Sequence, residues 1–396
     1  MERQAKVTKP PYRLPTMAEI EVTPLNGLKV ASTFSGCGGS CLGYRMAGFK
    51  IVWANEFNSD ARDSYRLNFP DTYLDPTDIR QVSARDIFKT TGLKRGELDL
   101  FDGSPPCQSF STSGKREKGW GKSVAHSDGT TQISDDLFFE YARLLKELQP
   151  KVFVAENVTG LVIGSAKGYF KIIHRALVDC GYKVEARILD ASWLGVPQAR
   201  RRVIFVGVRN DIDRAPAFPK PQKYQYTLGD ACPWIVDSLH KNSGFFTSME
   251  MTLTTPIPTL TTTGTNEYMA LGAHPAPKAN DDKVDFEIKM LGRAAAKAWA
   301  ETKVGKSHHK FFNAIKASPN LPSPTLLAHA SSHDVAHPYS PRRFTIHELK
   351  LLSSFPRDFQ LAGTFEKRWA RIGNAVPPLM MFHVARAVRD DILIRA

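Results

Sequence analysis

Cysteine is scarce in this chain, acid is outnumbered and long apolar runs are missing; each shortage excludes something. The five cysteines among 396 residues, at 37, 41, 107, 180 and 232, form no Cys-x-x-Cys pair. Neither a zinc ribbon nor a disulfide framework is therefore expected, and the thiols should be reduced. No uninterrupted apolar stretch approaches the ~20 residues that span a bilayer as a helix. The opening MERQAKVTKPPYRLP is polar, basic and proline-rich, whereas a secretory signal needs an apolar core. A soluble, cytoplasmic protein is the expectation. Asp and Glu number 40 against 53 Lys and Arg, a formal net charge of +13. Such a surplus suits a polyanionic partner, nucleic acid first, although a basic and merely solvated surface is the bland alternative. The hydrophobic fraction of 42% is ordinary, and a chain this long buries a core without metals or disulfides.

Four regions follow from pattern and composition. Residues 1–26 form an arm in which Pro10, Pro11, Pro15 and Pro24 prevent sustained helix, with Thr16 to Glu19 able to start one turn as a capping box. Residues 27–213 alternate short apolar runs with amphipathic segments. LKVASTF, FKIVWAN, LDLFD and KVFVA read as strands, with helices between them, one over 133–148. YKVEARIL and RRVIFVGV close the region and can pair with each other. This order predicts an α/β fold: a mixed, mostly parallel sheet covered by helices on both faces. Residues 214–338 are rich in Pro, Thr, Lys and His and read as a second, irregular, β-leaning region, helical only over 284–301. Residues 339–396 regain helical pattern at 345–352 and 379–394, the last helix packing back on the first domain.

The chemistry-bearing residues stand at predicted strand ends. Phe34-Ser35-Gly36-Cys37-Gly38-Gly39 follows a strand and precedes a helix, where glycines allow a sharp turn and close approach of a ligand. Glu56 ends the next strand, placed to accept hydrogen bonds from the ribose of an adenine nucleoside. Asp78 and Ile79 follow the third strand. Ser104-Pro105-Pro106-Cys107-Gln108-Ser109 lies at the C-terminal end of LDLFD, where open α/β sheets place reactive groups. Its two prolines would hold the thiol of Cys107 rigidly in a polar, turn-forming context, although a lone cysteine is more often a packed one. The basic, glycine-containing stretch Lys115–Lys122 suits a loop closing on a phosphate backbone, or a solvated one. Glu156-Asn157-Val158 ends KVFVA; a carboxyl there can donate a proton, and Asn157 can brace it. Gln198-x-Arg200-x-Arg202 enters the last strand with alternate side chains on one face, suited to a carbonyl or phosphate oxygen. His329, His333 and His337 have helix-face metal-ligand spacing, but their proline- and serine-rich setting reads as loop, so no metal is expected.

In order, the chain carries FSGCGG, PPCQ, ENV, QARRR, RRFTIHE (342–348) and GNAVPP (373–378). Six motifs in this order and strand context resemble the cytosine-5 DNA methyltransferase family over about 28–209 and 338–396. The resemblance implies a Rossmann-like methyltransferase domain, S-adenosyl-L-methionine as cofactor, and double-stranded DNA as substrate with its cytosine flipped out. It implies Cys107 as nucleophile toward carbon 6, Glu156 at ring nitrogen 3, Arg202 on the base carbonyl and Arg200 in support. Phe34, Gly36, Gly38, Gly39, Glu56, Phe57, Asp78, Ile79 and Asn374 would line the cofactor. Pro106, Gln108, Ser113, Lys115, Asn157 and Val158 would face the DNA. Phe344 stands where Leu is usual, and 214–338 falls where the family keeps its variable target-recognition region. Thr259-Leu260 and Thr325-Leu326 both remain candidates for its short Thr-Leu element. A bacterial or phage source, a monomer and a cognate restriction endonuclease in the same system are further expectations. The rival readings are a transfer-RNA cytosine-5 methyltransferase, a non-catalytic DNA-binding homologue and a metal-dependent hydrolase.

Overall fold

Side chains along the central strands alternate between two cores, as a sheet covered on both faces requires. Val30, Leu100, Val152, Val154, Ile204 and Val206 enter one core, and their neighbours Ala31, Phe101, Phe153, Ala155, Val203 and Phe205 enter the other. The structure is a computed structural model and describes residues 9–106, 123–125, 131–133, 136–162, 167–235, 285–328 and 334–394.

Seven strands form the main sheet: β1 (Lys29–Thr33), β2 (Lys50–Asn55), β3 (Leu74–Asp75), β4 (Leu100–Gly103), β7 (Val152–Val158), β8 (Tyr182–Asp190) and β10 (Arg201–Arg209). Their order is β3-β2-β1-β4-β7-β10-β8. The first five are parallel, and β10 runs antiparallel between β7 and β8. YKVEARIL and RRVIFVGV thus pair as the sequence allows, in a register that sets Arg202 opposite Leu189 on one side and Val158 on the other. Chain order reverses between β1 and β4, and the crevice beyond their carboxyl ends is where such sheets bind ligands. Two small pairs complete the strands: β5 (Ser123–Ala125) with β6 (Thr131–Ile133), antiparallel, and β9 (Gln198–Ala199) with β11 (Ser323–Pro324), parallel.

The helices divide between the two faces. α4 (Ala84–Thr91), α5 (Leu137–Leu148) and α6 (Lys167–Asp179) cover one. On the other lie α2 (Gly39–Met46), α3 (Ser59–Asn68), α7 (Leu228–Ala231), α9 (Ile346–Leu352), α10 (Phe365–Asn374) and α11 (Pro378–Val388). α2 and α11 cross so closely that a Cβ on Gly43 would stand 2.6 Å from the Pro378 carbonyl and 2.7 Å from the Met381 Cβ; only glycine fits. The arm's Thr16 and Glu19 form the expected capping box on α1 (Met17–Glu21), and Tyr12 is buried with its hydroxyl donating to the Leu351 carbonyl (2.9 Å).

Two expected helices begin later than their sequence pattern suggests, and one helix is unforeseen. The one expected over 133–148 begins at Leu137, because Ile133 is engaged in the β5–β6 pair. The one expected over 284–301 is only α8 (Arg293–Glu301): Lys289 and Leu291 bond to Arg343 and Pro341, and Gly292 starts the helix as its N-cap. α10 is unforeseen, capped by Thr364 and ending inside the GNAVPP run. No helix of the described residues is long and apolar enough to cross a membrane.

Candidate active site

The glycine turn after β1 and the acid after β2 meet directly. Glu56 accepts the Gly36 amide on one carboxylate oxygen (2.8 Å) and the Asn58 amide on the other (2.7 Å). Both bonds fix the carboxylate at the sheet's ligand-binding edge. Phe34, at φ 53°, and Gly36, at φ 56°, are left-handed, a conformation that glycine adopts freely and that is strained at Phe34. A Cβ on Gly36 would point into open space, whereas one on Gly39 would stand 2.3 Å from the Val376 carbonyl. One side of the turn is therefore open and the other is closed by the segment that follows Asn374. Cys37 reaches the Arg371 carbonyl (3.7 Å), and the Arg371 guanidinium donates to the Asn58 side chain (2.8 Å). Asn374 is exposed at the end of α10, and Phe57 is half-buried beside Glu56. The turn is thus open on the Gly36 side, closed on the Gly39 side, and edged by a carboxylate held in place. Asp78 is taken up by Arg80, at 3.2 Å, which also holds Asp136. Ile79 packs its side chain into the core, and its carbonyl accepts the Arg143 guanidinium (3.0 Å) and the Val82 amide (3.3 Å), which leaves only its backbone amide for a ligand.

At the adjoining strand ends, β7 carries Glu156 next to β4's outgoing chain. Glu156 is nearly buried, and its carboxylate pairs with Arg202 Nε at 2.7 Å. Asn157 donates from its side-chain amide to the Pro105 carbonyl (3.2 Å) and accepts the Val158 amide (2.8 Å). The Pro105-Pro106 turn is thus tied to the strand end that bears the Glu156–Arg202 pair. Cys107, Gln108, Ser113 and Lys115 lie outside the described residues. The four described cysteines are buried. Burial pushes Cys37 and Cys41 up to about 12 and raises Cys180 and Cys232 as well. None of these four is suited to act as a nucleophile, since the thiolate is the reactive form.

Arg200 sits apart from this pair. Nearly fully buried, it donates to the carbonyls of Leu326 (3.2 Å) and Gly373 (2.9 Å). Burial and the neighbouring Arg202 pull its pKa well below the usual arginine range. Gln198 accepts the Leu326 amide and donates to Ser353, and Thr325 donates to the Ala199 carbonyl (2.6 Å). Of the two Thr-Leu candidates, Thr325-Leu326 is therefore locked to the QARRR segment; Thr259-Leu260 lies outside the described residues. His329 and His333 also lie outside them. His337 is buried, its Nδ1 accepting the Tyr339 amide. Among the described residues no group of three potential metal ligands occurs.

A further acid escaped the sequence reading. Asp102, fully buried in β4, accepts Ser32 Oγ (2.8 Å) and the Tyr44 hydroxyl (3.0 Å). Ser35 of the glycine turn donates in turn to Ser32 Oγ and to the Ser32 carbonyl (both 3.1 Å). Desolvation, with a smaller contribution from Glu156, pushes Asp102 up to about 7 despite both hydroxyls. The only signal in the sequence is an acid at the end of the apolar run LDLFD.

The family model for C-5 cytosine-specific DNA methylases matches residues 28–390. The Type II methyltransferase M.NgoPII of Neisseria gonorrhoeae is 29% identical over 387 residues, covering 93% of this chain and 98% of the relative. M.PspPI of Psychrobacter sp. (strain TA137), another Type II methyltransferase, is 30% identical over 373 residues, covering 93% and 81%. Among solved structures, a prophage-encoded protein of E. coli described as a DNA modification methyltransferase superposes with a TM-score of 0.64 at 22% identity, covering 92% of this chain and 99% of that one. A mutant of Spodoptera frugiperda DNMT2 gives 0.59 at 16%, covering 92% and 100%.

Proposed function

The chain belongs to the C-5 cytosine-specific DNA methylase family and is a DNA cytosine-5 methyltransferase; on that premise we propose how its residues perform the reaction. The observation that carries the reading is the junction of Pro105-Pro106, Asn157, Glu156 and Arg202 at one sheet edge, directly before Cys107 in sequence.

Carbon 5 of cytosine is a poor nucleophile until the ring is converted to an enamine. Cys107 adds as thiolate to carbon 6, and the electron pair it pushes into the ring makes carbon 5 nucleophilic. Glu156, in its protonated form, donates a hydrogen bond or proton to ring nitrogen 3, which otherwise would carry the developing negative charge. Arg202, fixed by Glu156, holds the base carbonyl. Arg200 positions this edge from behind. S-adenosyl-L-methionine, when bound, supplies an electrophilic methyl group; Phe34, Gly36, Gly38 and Gly39 receive its methionine part, Glu56 its ribose, and Phe57, Asp78, the Ile79 backbone and Asn374 complete the pocket. Once carbon 5 is methylated, its proton passes to solvent, the electron pair of that C–H bond re-forms the 5,6 double bond, and the carbon 6–sulfur bond breaks to release Cys107 as thiolate. Covalent addition divides one hard step into easier ones.

The target cytosine must leave the stack, at a cost of about a few kcal/mol. Pro106, Gln108, Ser113, Lys115, Asn157 and Val158 lie on the DNA side of this scheme. Thr325-Leu326, bonded to Ala199, Arg200 and Gln198, is the favoured Thr-Leu element, and 214–338 acts as the target-recognition region beside the catalytic region 27–213. The enzyme acts as a monomer in the bacterial cytoplasm or nucleoid, and its relatives' Type II names favour a restriction–modification system with a cognate endonuclease.

A duplex carrying 5-fluorocytosine in the methylated context tests the mechanism, because fluorine cannot leave as the proton does. A covalent adduct at Cys107 is expected on duplex DNA. Its absence from a protein that still binds that duplex, or its formation on transfer RNA alone, overturns the reading.

A further inference from the structure

Four of the large apolar side chains that face solvent cluster in one short stretch: Val304 (41% exposed), Phe311 (43%), Phe312 (74%) and Leu321 (55%). Single exposed apolar residues need no explanation, whereas a cluster does. The same stretch lacks acid. No Asp or Glu occurs between Glu301 and Asp334, while Lys303, Lys306, Lys310 and Lys316 all fall there. Lys303, Lys306, His309 and Lys310 are exposed.

The backbone here is a tight hairpin with a fixed base. Gly305 and Lys316 bond to each other's strand, His308 bonds to Ala314, and Ser307 bridges Ile315. At the base, the Lys316 ammonium lies 3.6 Å from the centre of the Trp299 ring, whose indole N–H donates to the His337 carbonyl (2.8 Å). Buried His308 contacts Glu301 at 3.1 Å and stacks on Phe311, ring centres 5.2 Å apart. Phe311 is held by that stack, and its neighbour Phe312 is left outermost. Beyond the hairpin, the same chain runs into Ser323, which pairs with Gln198, and Leu326, whose carbonyl holds Arg200.

We infer that the hairpin 305–316 is a duplex-DNA contact element: Lys306 and Lys310 pair with backbone phosphates, and Phe312 makes an apolar contact with the bases. This rests on the reading of duplex DNA as the substrate. A basic hairpin with no acid of its own matches the charge of phosphates, and an exposed ring on it has two uses on DNA, at the thymine methyl or against an opened base step. The chain path gives the contact a direct mechanical link to the Arg200 edge.

The test measures affinity for a fluorescent duplex carrying the context that bisulfite sequencing shows the parent enzyme to methylate. Binding is followed against salt for the parent, for Lys306→Ala/Lys310→Ala and for Phe312→Ala, with Phe312→Trp as rescue and circular dichroism as the check on folding. The lysine pair should lower the slope of log affinity against log salt by about two and weaken binding at least about tenfold near 0.1 M salt. Phe312→Ala should weaken binding about tenfold with the slope unchanged, and Phe312→Trp should restore it. An unchanged slope in the lysine variant, Phe312→Ala binding within about twofold of the parent, or losses on transfer RNA but not on duplex overturns the inference. A parent enzyme that methylates no duplex at all would instead refute the underlying reading.

Discussion

Asp102→Asn should change how stability depends on pH, and the size of the change follows from the burial of one carboxyl. Asp102 accepts hydrogen bonds from Ser32 and Tyr44 and faces Glu156 electrostatically, with no cation among the causes that act on it. Its pKa rises from 3.8 to about 7 on folding. A raised folded pKa means that the native state holds the proton more tightly than the unfolded chain. The stabilising contribution is therefore complete below pH 4 and is lost progressively as pH rises to about 7. At about 1.4 kcal/mol per pKa unit the whole loss is about 4 kcal/mol, or about 5 °C in Tm for a chain of this length. Asparagine mimics the protonated acid: its amide serves one hydroxyl and its oxygen the other. The variant and its parent should melt together at and below about pH 4, and the variant should melt progressively higher, by up to about 5 °C, toward pH 8. Differential scanning calorimetry at several pH values, with the cofactor absent, measures this difference, and all other titrating groups cancel between the two proteins. A difference in Tm that stays constant from pH 4 to 8.5 would refute the argument.

Four other outcomes follow. Cys107→Ala should abolish methyl transfer while leaving duplex affinity within about threefold, by filter assay and fluorescence anisotropy, since it removes only the covalent step. Glu56→Ala frees the Gly36 and Asn58 amides together, so cofactor affinity measured by calorimetric titration should fall about tenfold or more, with DNA binding little changed. Arg200→Met leaves the Leu326 and Gly373 carbonyls without their donor, at about 1–3 kcal/mol each. Urea denaturation should show the loss, and Arg200→Lys should not restore it, because an ammonium lacks the fork that spans two carbonyls. Gly43→Ala should destabilise by about 1–3 kcal/mol in the same assay, as α11 must move off α2; a neutral result would mean that the helices are not so closely packed.

Much of the sheet was legible because burial on both faces imposes a pattern that each strand carries by itself. LKVASTF, KVFVA and RRVIFVGV need no partner to be recognised as strands. Partner order is different, since nothing in RRVIFVGV specifies that it inserts between β7 and β8 rather than beside either alone. Capping chemistry was equally local: Thr16 with Glu19 announced a helix turn that the structure contains. α10 escaped because its packing partners, including the Leu327 carbonyl that accepts the Trp369 N–H at 2.8 Å, come from distant sequence. At the site, the sequence pattern puts Phe34 to Gly39, Glu56 and Glu156 at strand ends, and the Gly36–Glu56 bond joins two of these segments. The Asp102 network was hidden because its three elements, β1, α2 and β4, meet only in the folded chain. Arg200 reads in sequence as a partner of Arg202, yet successive bonds to two remote carbonyls make it a brace.

The contacts of Arg371, Val376 and Pro378 with the first glycine turn and its helix also bear on the protein's synthesis. As the polypeptide leaves the ribosome, the first glycine turn emerges early, but its far wall is translated hundreds of residues later. Nascent chains therefore carry this turn without its closing wall until translation has passed α11.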